Sequence, residues 1–132
     1  MSKQQINPKE LYDAAAFGMS QATVDLESGL VFVSGQVDWN HQHETTEQSV
    51  EGQTRKALNN LSIALTAAGS SIDQLLQVRV YVRGEIGEQL EVLAPIFNEF
   101  LGKSRPALTG IGVASLASVE TLIEIEAVAS TK

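Results

Sequence analysis

The chain has 132 residues with 16 acidic against 9 basic side chains and a net charge of −7, the size of one compact domain and a charge that opposes a nucleic-acid partner. A cysteine count of zero excludes disulfides, thiolate metal sites and a cysteine nucleophile. No apolar run reaches bilayer-spanning length and Met1-Ser2-Lys3-Gln4-Gln5 lacks the apolar stretch of a signal peptide, so the expectation is a soluble, cytoplasmic protein with no membrane partner.

Thr23 to Glu27 and Leu30 to Gln36 read as two strands joined by a tight turn at Ser28-Gly29, where glycine supplies the positive φ of a short hairpin. Asp38 to Thr45 follows as a polar loop. Within it Trp39 reads as a packing or interface residue, and His41-Gln42-His43 has only Glu44 beside it, too few ligands for a metal site. From Thr46 onward Val50, Ala57, Leu58, Leu61, Ala64, Leu65 and Ala68 recur at helical spacing, which predicts an amphipathic helix stopped by Gly69. Leu75 to Arg83 is a strand, with Val78, Val80 and Val82 on one face and Arg79, Tyr81 and Arg83 on the other. Such a basic and aromatic face suits RNA, but the acidic total opposes that use. Leu90, Leu93, Ile96, Phe97, Phe100 and Leu101 mark a second helix closed by Gly102, and Pro95 predicts either a kink or a late helix start. Ala107 to Val113 and Thr121 to Ser130 are the last strands, expected to form an antiparallel pair across the polar Ser115 to Glu120 connection.

The element order is therefore β-β-α-β-α-β-β, an α+β domain with two helices on one face of a single sheet. On the last strand Ile123, Ile125, Ala127 and Ala129 share one face while Leu122, Glu124, Glu126 and Val128 share the other, so neither face is simply solvent-like. A homo-oligomer with sheets inward and helices outward would cover the second face. Arg105, in Ser104-Arg105-Pro106-Ala107, places an always-charged planar fork at the start of an expected buried strand. That position is costly unless the fork grips an anion, which points to a carboxylate site; the structural alternative is an ion pair with Glu124 or Glu126 across an interface.

Asn7-Pro8, Val31-Phe32-Val33-Ser34-Gly35-Gln36, Gln53, Asn60-Leu61, Ala68-Gly69, Val78-Arg79-Val80-Tyr81-Val82, Phe97-Asn98-Glu99-Phe100, Arg105-Pro106-Ala107 and Ile123-Glu124-Ile125-Glu126-Ala127 occur in this order along nearly the whole chain. Together they resemble the RidA/YjgF family of reactive-intermediate deaminases, also labelled the endoribonuclease L-PSP family. The resemblance implies a chorismate-mutase-like fold, a homotrimer and active sites in the clefts between subunits. It implies hydrolysis of 2-enamino and 2-imino acids such as 2-aminoacrylate to 2-keto acids and ammonia, with no metal or organic cofactor. Carried over by motif, Arg105 would hold the substrate carboxylate, Glu124 would orient or activate the attacking water, the Ala107 carbonyl would be that water's second anchor, and Ser34 and Gly35 would line the pocket. Phe17 and Met19 fall in the region where the family often carries a tyrosine, so a phenol is missing; Tyr12 lies nearby but does not match by spacing. Ala94 stands at a position that is asparagine in some members, and Ala107 at one that is commonly cysteine. The connection before the last strand is longer than in the best-known members, so the IEIEA match, rather than counting, favours Glu124 over Glu120. A non-catalytic module that binds a small carboxylate metabolite on the same scaffold is the alternative function.

Overall fold

The valine alternation of Leu75–Arg83 sets the layering: Val78, Val80 and Val82 are buried, while Arg79, Tyr81 and Arg83 lie on the opposite side. In the computed structural model, which describes residues 2–132, the elements are β1 (Lys3–Ile6), β2 (Ala22–Asp25), β3 (Leu30–Gln36), α1 (Val50–Ala67), β4 (Leu75–Arg83), α2 (Ile86–Leu101), β5 (Ala107–Val113) and β6 (Ile123–Ser130). The six strands form one mixed sheet in the order β1-β2-β3-β6-β4-β5. Both helices pack on one face of it. Helix α1 is capped by the Ser49 hydroxyl, which accepts from the Gly52 N–H at 3.0 Å, and ends before Gly69 at φ 82°. Its Ala57, Leu58, Leu61, Ala64 and Leu65 join Leu93, Ile96, Phe97 and Leu101 of α2 over Val31, Val33, Ile123 and Ile125 of the sheet. Among the described residues no helix is long and apolar enough to cross a membrane.

The structure departs from the sequence expectations at several points. Strand β1 carries no sequence signal, since Lys3-Gln4-Gln5-Ile6 buries only Ile6 and has no alternation. The last two strands do not pair. β5 lies parallel to β4 with α2 as the crossover, and β6 inserts between β3 and β4, antiparallel to both. Close approach of the β4–α2 turn enforces the first pairing: a Cβ at Gly112 would overlap the Gly84 carbonyl, and the Gly84 N–H donates to Val113 O at 3.0 Å. Strand β5 is consequently an exposed edge strand rather than a buried one. Of the two alternatives at Pro95, a late start is ruled out: α2 begins at Ile86 and carries Pro95 on its exposed side, where water reaches the carbonyl that the ring leaves unpaired.

On β6 the residues Ile123, Ile125, Ala127 and Ala129 are buried beneath the helices, while Glu124, Glu126 and Val128 are half-buried on the open face. Phe32 of β3 shares that open face and remains 47% exposed.

Candidate functional site

The site begins with a fault in the sheet. Val33 pairs with Ala127 and Gln36 with Ile125, so β3 carries one residue more than β6 across the Ser34-Gly35 step. This is a β-bulge, a device that re-aims side chains beside functional centres. The Glu124 carboxylate lies against Gly35 in the space the bulge opens, and a Cβ on Gly35 would overlap it. Glycine is therefore needed here for room. The Ser34 hydroxyl donates to the Ser20 carbonyl at 2.6 Å and the Ser34 N–H to Gln21 O at 2.9 Å, which ties the bulge to the segment preceding β2. Behind it runs a buried amide chain: Gln36 Nε2 donates to Gln21 Oε1 at 2.9 Å, and Gln21 Nε2 donates to the Tyr12 carbonyl at 2.8 Å. Satisfied buried amides of this kind fix the segment bearing Tyr12, Phe17 and Met19 against the sheet.

A cleft of about 340 Å³ results, lined by Glu124, Ser34 and Gly35 of the sheet together with Tyr12, Phe17, Met19, Trp39 and Ala117. Trp39 enters from the polar loop, whose path is set by buried Asp38 accepting from the Thr46 hydroxyl at 2.7 Å and from the N–H groups of Thr46 and Glu47 at 2.9 and 2.7 Å. Ala117 belongs to the connection between β5 and β6. That connection is clamped by the Arg83 guanidinium on the carbonyls of Ser118 and Val119, and by Gln53, which donates to Glu120 O at 2.8 Å and accepts from the Leu122 N–H at 2.8 Å.

Burial is the main cause that pushes the Glu124 carboxyl above its ordinary pKa, and the neighbouring Glu126 charge adds to it. Burial likewise raises the Tyr12 phenol, which a hydrogen bond involving Gln21 partly offsets and the Glu124 charge reinforces. Among the described residues no cation lines the cleft. Glu126 points along the same open face and accepts a hydrogen bond from the Tyr81 hydroxyl, which raises the Tyr81 pKa.

Of the residues singled out in the sequence, Phe17, Met19, Ser34, Gly35 and Glu124 come together in this cleft. Arg105 and Ala107 do not. Ala107 pairs with Gln77, and Glu124 pairs with Tyr81, so the two lie two strands across and four residues along the sheet, roughly 16 Å apart, with Arg105 farther still. Arg105 is exposed, carries a positive φ of 45° and makes no ion pair among the described residues. A non-glycine residue held in that region stores about 1 to 3 kcal/mol, a cost usually found at functional positions. Glu120 is exposed in the connection and does not line the cleft, whereas Glu124 does. The histidines are engaged separately, His41 Nε2 against Lys9 O at 2.7 Å and the His43 ring against Tyr12, Phe17 and Trp39. Tyr12, Trp39 and Ala117 are lining residues that sequence reasoning missed. Spacing gives no sign of Tyr12, because its ring reaches the cleft from a non-regular segment; the one signal for Trp39 was a large apolar ring in an otherwise polar loop.

A family model described as endoribonuclease L-PSP matches residues 11–131. A RutC family protein of Pyrococcus horikoshii is 33% identical over 102 residues, spanning 75% of this chain and 77% of that protein. AldR of Lactococcus lactis, named as a proposed regulator, is 32% identical over 106 residues, spanning 80% of this chain and 82% of its own. The crystal structure of a Mycobacterium tuberculosis member of the YjgF/YER057c/UK114 family superposes with a TM-score of 0.82 at 27% identity, covering 98% of this chain and 99% of that one. With a family match over nearly its whole length and the same two helices on a mixed six-stranded sheet, the chain belongs to the endoribonuclease L-PSP family, the YjgF/RutC/RidA proteins.

Proposed function

We propose that the protein is a hydrolytic deaminase of small 2-enamino and 2-imino acids, working as a homotrimer with sheets facing inward and a site in each cleft between subunits. One observation carries this reading: a single copy holds a cleft lined by a carboxylate and, among the described residues, by no cation, and, far across the sheet, an exposed arginine that makes no ion pair among the described residues. An anionic ligand in the cleft alone would face Glu124 uncompensated. Arg105 of a neighbouring copy supplies the missing charge, and the half-open face bearing Phe32, Val128 and Glu126 is the surface such packing would cover.

In this arrangement the Arg105 guanidinium holds the substrate carboxylate through two parallel N–H···O bonds, which fixes the position of the imine carbon. Water sits between the Ala107 carbonyl and Glu124. As the water oxygen bonds to C2, the Glu124 carboxylate takes its proton, and the raised pKa brings that carboxyl closer to the working pH of an acid that must then give the proton to nitrogen. An enamine reacts as its imine tautomer, with a proton gained at C3 and one lost from nitrogen. In the tetrahedral adduct the remaining hydroxyl proton passes through Glu124 to nitrogen as C2=O forms and the C2–N bond breaks, so both water protons leave with ammonia and the 2-keto acid remains. Ser34, whose hydrogen is already committed to the Ser20 carbonyl, presents its oxygen as an acceptor for the imine N–H. The imine carbon is itself electrophilic, so orientation and proton transfer suffice, on the scale of about 10² to 10⁴ for a positioned acid or base.

The test is to release 2-aminoacrylate with a serine dehydratase, and other 2-imino acids with an amino-acid oxidase, and to follow 2-keto acid formation with and without the protein. Acceleration by the wild type that is lost in Arg105→Ala is expected; no acceleration, or full activity in Arg105→Ala, sinks the assignment. A non-catalytic carboxylate-binding module is the second reading, favoured by the ring at Phe17, which offers no hydroxyl to the reacting nitrogen. Arg105-dependent binding of a 2-keto acid without turnover of any imine selects it.

A further inference from the structure

We infer that the cleft selects ligands whose side chain is large and apolar, aromatic above all, over three-carbon acids; the inference rests on the deaminase reading and names its substrate class. Three of the residues that line the cleft with Glu124 are rings, Tyr12, Phe17 and Trp39, and His43 packs against all three from outside the lining. Tyr12 and Trp39 have centroids 5.2 Å apart, Phe17 and Trp39 6.3 Å, and His43 stands 5.1 Å from Tyr12, 5.4 Å from Trp39 and 5.7 Å from Phe17, mostly edge-on. Rings locked edge to face hold one another in place and keep their outer surface rigid. Trp39 Nε1 is buried without a hydrogen-bond partner, so packing, rather than an anchor at its polar end, positions the indole. Phe17, at the mouth, is still 59% exposed.

The polarity of the cleft is divided. Glu124 and Ser34 stand at the bulge, where the reacting carbon and nitrogen belong, and Phe17, Met19 and Trp39 supply apolar lining to the same cleft. A three-carbon imine fills the polar part and leaves the rings wet. A benzyl or isobutyl side chain extending from C3 covers Phe17 and Met19 and gains the burial that the smaller acid forgoes.

The experiment measures kcat/KM for imines generated in situ from L-phenylalanine, L-leucine and L-alanine by an L-amino-acid oxidase, with residual imine trapped by semicarbazide. Wild type, Phe17→Ala and Phe17→Tyr are compared. The expected phenylalanine-to-alanine ratio in the wild type is at least about tenfold, the scale a few buried methylenes give. Phe17→Ala should bring the ratio toward one while Phe17→Tyr, which keeps the ring, preserves it; the ratio is the readout, and the exposure of Phe17 makes loss of folding an unsuitable explanation. A wild-type ratio near one, or a ratio untouched by Phe17→Ala, overturns the inference while leaving the deaminase reading standing. If no imine is hydrolysed, the deaminase reading fails separately, and calorimetry with phenylpyruvate and pyruvate decides: tighter phenylpyruvate binding lost in Phe17→Ala upholds the side-chain preference, and equal or absent binding overturns it.

Discussion

The cleft around Glu124 and the corner that carries Arg105 are built by opposite means. Glu124 sits in the interior of the sheet with strands on both sides, opposite a bulge, backed by buried amides and in a cleft lined by packed rings. Arg105 sits on an exposed loop before an edge strand, in a strained backbone conformation, with no partner for its guanidinium among the described residues. The cleft is preorganised by its own chain, whereas the Arg105 guanidinium has no ion-pair partner among the described residues. In the proposed trimer the two regions are complementary, each supplying what the other lacks.

The strongest way to break that division is to mix two inactive variants. Arg105→Ala and Glu124→Gln should each be nearly inactive alone. After dissociation and reassociation at equal amounts, about one quarter of the sites in random cyclic assemblies pair an intact Arg105 with an intact Glu124 from the next subunit, so about a quarter of wild-type activity should return. Residues that work within one subunit would give no recovery at all. A light-scattering mass of a monomer would also remove the shared cleft.

The two regions differ equally in how far the sequence discloses them. Periodicity locates the β2–β3 hairpin, both helices and β4, because each buries one face with the spacing its geometry demands. It misses β1, a short polar strand with one buried residue. It also misplaces β5 and β6: nearness in sequence favours a hairpin, but the neighbour of each strand is decided by contacts distant in sequence, above all the parallel β4–α2–β5 crossover. Motif resemblance singles out Glu124, Gly35 and Ser34, and the fold gathers them. Tyr12 and Trp39 stay hidden because their place in the cleft depends on how two irregular segments fold over a bulge, which has no period.

A smaller effect sharpens the preorganised side of the comparison. Gly35→Ala puts a methyl group where the Glu124 carboxylate lies. Because the displaced group is the far end of a side chain, it can swing away and the melting temperature should move little, while the carboxylate leaves its place by an ångström or more. Misplacement on that scale costs about 10²-fold in rate. A Gly35→Ala variant with wild-type kcat shows that the position of Glu124 at the bulge is immaterial.

Electrostatics make the same cleft a liability for stability. The folded-state pKa of Glu124 is raised, first by burial and then by Glu126, so between its unfolded and folded values the native protein binds more protons than the unfolded chain. Stability therefore falls as pH rises through that window and stays reduced above it. Glu124→Gln, an uncharged side chain of the same shape, should melt higher than the wild type at neutral pH and lose this pH dependence; thermal melts at intervals from about pH 4 to pH 8 bracket the ordinary carboxylate range and show it. In turn Glu126→Gln removes the second cause, and the acid limb of kcat/KM should move to lower pH. A limb that stays in place assigns the shift to burial alone.

The smallest expected effect tests the other half. Arg105 adopts φ 45°, a region that disfavours any side chain with a Cβ and that glycine enters freely. If the strain is held for the sake of the guanidinium, removing the side chain should abolish activity whichever residue replaces it, yet the two replacements should differ in stability. Arg105→Gly relieves the clash and Arg105→Ala keeps it, so the glycine variant should be more stable than the alanine variant by about 1 kcal/mol, less the extra freedom glycine gives the unfolded chain. Denaturant titration resolves a difference of that size when the slopes of the two transitions agree. An alanine variant as stable as the glycine variant means that the loop relaxes to negative φ once the arginine is gone, and the backbone at this corner then follows the side chain. In that case the corner is shaped by its guanidinium, and the contrast with the rigid cleft across the sheet becomes sharper still.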